Sequence, residues 1–206
     1  AFSVTVNGVD ANWNVVSSAI DNIAITSTDP DATLPGNAVL VSGTKTFSVS
    51  LNTAGTATIT ASDVTAPAIT ANTSPSITVN TGTYSQLQVL LPGEVADPGS
   101  TTGKTGTPTA QTAATAISVT VNAVDSRFNL INTITETVAI TSSDANATLP
   151  ANAALVAGTQ SFSITFKTAG SRTVTATGTQ TGTSAAVTVN AGALAKLQLL
   201  VPGETA

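Results

Sequence analysis

Residues 161–176 read SFSITFKTAGSRTVTA, and residues 46–61 repeat them as TFSVSLNTAGTATITA. Before the shared Thr-Ala-Gly, apolar side chains alternate with Ser and Thr: Phe162, Ile164 and Phe166 in one copy, Phe47, Val49 and Leu51 in the other. A period of two puts one face of an extended strand on a core and the other toward water. Alternation resumes after the glycine, through Val174 and Ala176 or through Ala57, Ile59 and Ala61. The short glycine-bearing connections 167–170 and 52–55 predict a hairpin between each pair of strands. Thr is stiff at χ1 and β-branched, so it favours strands while offering a hydroxyl to water.

The duplication extends outward from this stretch. FSVTVNGVD (2–10) returns as ISVTVNAVD (117–125), and AITSTDPDATLPGNAVLVSGT (24–44) returns as AITSSDANATLPANAALVAGT (139–159), all at an offset of 115 residues. After Ala61 and Ala176 the copies diverge, the first running five residues longer, and they re-register at an offset of 110. There ITVNTGTYSQLQVLLPGE (77–94) matches VTVNAGALAKLQLLVPGE (187–204). One register held over about sixty residues marks a true internal repeat. The second copy is led in by LQVLLPGE and a Gly/Thr/Pro-rich loop, 97–115. The first copy has no such lead-in, and LQLLVPGE opens a further unit. The expected organisation is therefore repeat 1 over 1–80, lacking its first strand; a complete repeat 2 over 81–190; and an orphan first strand over 191–206. At about seven strands per unit of roughly 110 residues, the expected fold is all-β, two tandem immunoglobulin-like β-sandwich domains.

Composition narrows the chemistry. Among 206 residues there is no Cys, His or Met, while 40 are Thr. This excludes thiolate and imidazole catalysis, zinc, haem and iron–sulfur ligation, and disulfides. A net charge of −5 has the wrong sign for nucleic-acid binding. No run approaches the roughly 18 apolar residues of a spanning helix, so membrane insertion is not expected. Residues 1–6 show no signal-peptide pattern and no initiator Met, as in a processed chain or an excerpt of a longer one. Low charge and high Thr content suit an extracellular or cell-surface scaffold.

The order VTVNAVDSRFN, VAITSSD, GTQSFSITFKTAGSRTVTAT, AAVTVN resembles the tandem immunoglobulin-like repeats of bacterial surface proteins, invasin/intimin-like in the broad sense. TAG followed by a strand ending T-x-T-A carries the resemblance most specifically. Where that family places Gly-Asn after the aspartate of its second strand, this chain has Asn12-Trp13-Asn14 and Arg127-Phe128-Asn129. The resemblance implies a stalk, fibre or surface-layer element, with adhesive activity in some members.

Recurring carboxylates are the candidate site residues: Asp10 with Asp125, Asp21 with Glu136, Asp29 with Asp144, and Glu94 with Glu204. Asp10, Asn12 and Asn14 place oxygens at alternate positions, the pattern of a calcium loop, but Arg127 in the second copy would repel a cation. A strand-end turn capped by Asp and Asn side chains is the favoured reading, there and at Asp29-Pro30-Asp31 and Asp144-Ala145-Asn146. No pair of acids signals a hydrolytic cleft. Ser and Thr lack a His base, and none of Lys45, Lys104, Lys167 and Lys196 recurs as Lys at the matching repeat position. For the same reason a repeated Lys–Asn crosslink is not expected: Lys196 and Asn190 correspond to Gln86 and Asn80. The chain is expected to be neither an enzyme nor a cofactor protein. Trp13 and Phe128 are expected to close one end of each sandwich rather than to stack on a sugar or a neighbouring subunit. Asn72-Thr73-Ser74 and Asn146-Ala147-Thr148 fit the glycosylation acceptor pattern, and Pro-Gly-Glu at Pro92 and Pro202 reads as a turn ending a strand.

A sheet short of an edge strand exposes backbone groups and an apolar groove. Residues 194–201 match the absent strand, with Leu197, Leu199 and Val201 standing for Leu87, Val89 and Leu91. Leu194, Leu197, Leu199 and Val201 are thus the candidate assembly strand. The expected partners are copies of the chain, or neighbouring repeats of a longer one, joined head to tail by strand addition. The alternative expectation is a ligand-binding adhesin pair.

Overall fold

The structure is a computed structural model that describes residues 1–205; Ala206, the last residue of the expected segment 191–206, lies outside the described residues. It is all-β. Repeat 1 contributes β1 (Phe2–Asn7), β2 (Asn22–Ser27), β3 (Ala38–Val39), β4 (Thr44–Val49), β5 (Gly55–Ala57), β6 (Ile59–Asp63), β7 (Asn72–Thr73) and β8 (Ile77–Val79). There follow β9 (Gln86–Leu90), the hairpin of β10 (Glu94–Ala96) with β11 (Lys104–Gly106), and β12 (Gln111–Thr112). Repeat 2 continues with β13 (Ala116–Val124), β14 (Thr137–Ser142), β15 (Ala153–Ala154), β16 (Thr159–Thr165), β17 (Gly170–Arg172), β18 (Val174–Thr177), β19 (Thr181–Thr183) and β20 (Val187–Asn190).

The two copies share one strand plan. In repeat 2 one sheet has the order β16-β13-β9 and the facing one β15-β14-β18-β19, while β20 joins β17 on one side and β12, in parallel, on the other. In repeat 1 the corresponding sheets are β4-β1 and β3-β2-β6-β7, with β5 paired to β8. Repeat 1 therefore has no counterpart of β9, β10, β11 or β12; two of these, β9 and β12, pair with the sandwich strands of repeat 2, where sequence periodicity pointed to one.

Burial follows from that difference. Val119 and Val121 on β13 are fully buried (0% exposed), and Ile117 is buried beside them. Their equivalents on β1, Val4 and Val6, are half-buried and Phe2 is exposed. The apolar core of repeat 2 gathers seventeen buried residues, from Leu87 to Val189. That of repeat 1 gathers six: Ile23, Ile25, Leu40, Phe47, Val49 and Ile59. Near-identical strands thus bury very different amounts of surface, according to whether a third strand covers the edge of the sheet.

The connections after β4 and β16 are not hairpins. β4 lies beside β1 and β5 beside β8, so residues 50–54 cross from one sheet to the other, and residues 166–169 do the same. A buried carboxylate makes the crossing possible. Asp29 accepts the N–H of Asn52 at 2.6 Å and of Thr53 at 3.1 Å, and the Thr53 hydroxyl at 2.6 Å. Asp144 accepts the N–H of Lys167 at 2.7 Å and of Thr168 at 2.9 Å. Burial alone would raise both carboxyl pKa values, yet these donors outweigh it and hold both below the ordinary carboxylate range. The expected turn-capping role of Asp29 and Asp144 is what the structure shows. Gly55 and Gly170 leave the crossings at φ of 135° and 119°, a region open to glycine.

Candidate assembly interface

β9 is the template for the site. It pairs antiparallel with β13 in the register Val121↔Val89, Asn122↔Gln88 and Ala123↔Leu87, and the Asn122 side chain donates to Gln88 Oε1 at 3.0 Å. Leu87 and Val89, each 3% exposed, drop into the core between the sheets. Upstream, the Gly82 N–H donates to Asp125 at 2.7 Å, and the Tyr84 hydroxyl donates to Glu136, which also accepts the Thr179 N–H at 2.7 Å. Burial, together with the neighbouring Glu136 carboxylate, pushes the Tyr84 hydroxyl above its ordinary pKa. Downstream, Pro92 and Gly93 form the expected turn, closed by Glu94 N–H on the Leu91 carbonyl and by Leu91 N–H on the Glu94 side chain, and Lys104 pairs with Glu94 at 2.6 Å.

Along β1 runs an open groove of about 900 Å³, floored by Val6, Ile23 and Leu40 and flanked by Trp13 and Asn72. It occupies the position that β9 fills in repeat 2. The candidate strand residues lie at the other end of the chain. Leu197 and Leu199 are 91% and 88% exposed, and Leu194 and Val201 are exposed as well. Residues 191–200 make no strand, yet the turn after them forms: Glu204 N–H bonds the Val201 carbonyl and Val201 N–H bonds the Glu204 side chain, as at Glu94.

Carrying the β9 register across by the two repeat offsets would pair Val6 with Leu199, Asn7 with Gln198 and Gly8 with Leu197. One flank differs. Gly182 on β19 sits so close to β9 that a Cβ there would lie 1.8 Å from the Leu87 carbonyl oxygen. Asn72 occupies the matching place in repeat 1. A strand entering the groove of repeat 1 must therefore lie farther from β7 than β9 does from β19.

The aspartate turns are built alike. Asp10 accepts the N–H groups of Asn12 and Asn14, each at 2.9 Å, and the Asn14 side-chain amide at 3.2 and 3.0 Å. Asp125 accepts the N–H of Arg127 at 2.8 Å and of Asn129 at 3.0 Å, plus the Asn129 amide. These donors, the Asn14 side chain foremost, hold Asp10 below the ordinary carboxylate range. Asp125 is likewise lowered, since the Gly82 and Asn129 donors outweigh a burial that would raise it. Of the calcium candidates, Asp10 and Asn14 meet, while Asn12 joins them through its backbone.

Trp13 and Phe128 share left-handed backbone (φ 66° and 61°) at the third residue after each aspartate. Neither closes a core, contrary to expectation. Trp13 is 73% exposed, and Phe128 packs outside the sandwich against Gly103 of the 97–115 loop. The turn geometry projects the ring outward, which period-two reasoning cannot register. Asn72 and Asn146, the glycosylation acceptors, are both exposed.

These features define an all-β chain of immunoglobulin-like sandwich build. No family model and no curated protein matches it. Among solved structures it is similar to the D0–D1 domain of intimin, at 18% identity and a TM-score of 0.31, covering 92% of this chain and 86% of that one. It is also similar to the surface layer protein SbsC, domains 1–6, at 18% identity and a TM-score of 0.36, covering 90% of this chain and 22% of that one. A third likeness is to a beta-glycosidase from Bacteroides vulgatus, at 9% identity and a TM-score of 0.42, covering 82% and 21%. The chain spans about a fifth of the length of the glycosidase and β-glucuronidase structures that it matches.

Proposed function

We propose that the chain is a non-enzymatic structural module of an extracellular bacterial fibre, stalk or surface layer, built from two sandwich domains and joined head to tail by strand complementation. Residues 194–201 supply to the next unit what β9 supplies to repeat 2. That next unit is repeat 1 of another copy, or a following repeat of one long chain.

One observation carries the reading. β1 and β13 are near-duplicates, and only the one paired with a β9-type strand has a closed core. Seating Leu197, Leu199 and Val201 in the groove removes apolar surface worth about 1.5–3 kcal/mol per side chain, against the entropy of ordering the segment. Because donor and acceptor lie on different faces of one molecule, the contact is heterologous and propagates as an open chain.

Sedimentation velocity of the 206-residue chain and of a variant ending at residue 190 tests the proposal. Concentration-dependent oligomers of the full chain, absent from the truncated one, are expected. Equal behaviour of the two would overturn it. The intact mass of the native subunit then separates assembly from covalent array: near 20 kDa for the first, far larger for the second.

A further inference from the structure

The two repeats touch through a contact that strand pairing does not require. The Asn129 side chain, fixed by its amide to Asp125, accepts the Ala54 N–H at 2.9 Å and donates to the Asn52 carbonyl at 2.9 Å. The tip of the repeat 1 crossing loop is thus plugged into the aspartate turn of repeat 2. The Thr53 hydroxyl reaches the Pro98 carbonyl at 3.4 Å, and Gly99 N–H bonds the Arg127 carbonyl at 2.7 Å, closing the rim of this socket.

Both halves of the contact recur, unused, in the other copy of each element. Asn14 is held by Asp10 as Asn129 is held by Asp125, with its amide nitrogen on the carboxylate, yet it is exposed and its side-chain oxygen has no donor among the described residues. The loop tip of repeat 2 repeats that of repeat 1, Lys167-Thr168-Ala169 standing for Asn52-Thr53-Ala54. The Lys167 carbonyl and the Ala169 N–H, which match the two bonded groups, have no partner among the described residues. Arg172 occupies the other carbonyls of this tip, donating to Thr168 O at 3.1 Å and Ala169 O at 2.7 Å, and leaves the docking pair free.

We infer that the Asp10–Asn14 turn is a socket for residues 167–169 of a second copy, the Asn14 side chain accepting from Ala169 N–H and donating to the Lys167 carbonyl. This deepens the strand-complementation reading and rests on it. A strand 194–201 seated on β1 in the β9 register repeats the relation between repeats 1 and 2, and that relation delivers the 167–169 tip to Asn14. Strand and socket then act on neighbouring surfaces of one interface. The strand closes the core, and the socket sets the angle between successive units.

Two measurements test this on the full chain. Hydrogen exchange followed by mass spectrometry on peptides covering 166–170 compares the assembled chain with the variant ending at 190. Slowing at Ala169 only in the assembled chain is expected, with Ala54 slow in both as the internal reference. The second measurement is the association constant of Asn14→Ala, read from the single Trp13, whose emission shifts blue as the adjoining surface is covered. Loss of the two intermolecular hydrogen bonds predicts association weaker by about tenfold, while loss of the exposed Asn14–Asp10 contact should lower the melting temperature of the isolated chain only slightly. Assembly of the unaltered chain with fast exchange at Ala169, or with unaltered affinity in Asn14→Ala, overturns the socket and leaves strand complementation standing. A chain that does not assemble at all overturns both.

Discussion

Replacing Asp144 by alanine should cost repeat 2 a large share of its stability. The carboxylate is buried and accepts three backbone N–H groups, from Lys167 at 2.7 Å, Thr168 at 2.9 Å and Asn146 at 3.1 Å. Bonds to a charged acceptor contribute about 1.5–3 kcal/mol each, and water reaches part of this loop, so a net loss of about 3–5 kcal/mol is expected. A domain of this size has about 5–15 kcal/mol in all. The effect also has a pH signature. The folded pKa lies below the ordinary value, so the stabilisation is complete above about pH 4 and is lost as pH falls through the folded pKa. Urea unfolding of repeat 2 can be followed through Tyr84, the only tyrosine, while Trp13 reports on repeat 1. The gap between the parent chain and Asp144→Ala should be widest at pH 7 and should narrow as the solution is acidified below pH 4. A loss under about 1 kcal/mol at pH 7, or a gap indifferent to acid, would refute the assignment of Asp144 as the pin of the crossing loop.

Three further substitutions probe the groove. Gly182→Ala places a methyl against the Leu87 carbonyl, so β9 should be driven from its sheet and residues 86–90 should exchange and be cleaved rapidly; native-like protection there would contradict the packing. Asn72→Gly removes the side chain that stands in the same place in repeat 1, and should tighten head-to-tail association by about fivefold to tenfold, read by Trp13 emission; weaker association would show that the entering strand does not pass this edge. Leu199→Ala deletes the counterpart of the buried Val89 and should weaken assembly by about 30- to 100-fold, measured by sedimentation. An unchanged oligomer distribution would mean that Leu199 stays outside the groove.

Much of this architecture was legible in the residues. Alternation in 46–51 and 161–166 located β4 and β16, and the match of 194–201 to β9 identified the segment without a sheet. Alternation says which side of a strand is buried but not which sheet the strand joins. That is why the crossings at 52–55 and 167–170 read as hairpins: a short glycine-bearing link suits either, and only the distant Asp29 or Asp144 decides. β12 is two residues long within a Thr- and Ala-rich loop, so no periodicity could expose it. The Asn129 socket joins positions 75 and 77 residues apart, and its only trace in the sequence was the recurrence of Asp-x-x-x-Asn. The exposure of Trp13 depended on one left-handed residue.

The absence of cysteine makes the entering strand's register directly measurable. Asn7→Cys combined with Gln198→Cys places thiols at positions equivalent to Asn122 and Gln88, whose side chains touch in repeat 2. Mild oxidation should give a ladder of covalent multimers on a non-reducing gel, and the pair Thr5→Cys with Gln198→Cys, two residues out of register, should give far less. Monomer alone from the first pair, or equal ladders from both, would contradict the claim that residues 194–201 complete the sheet of a following unit.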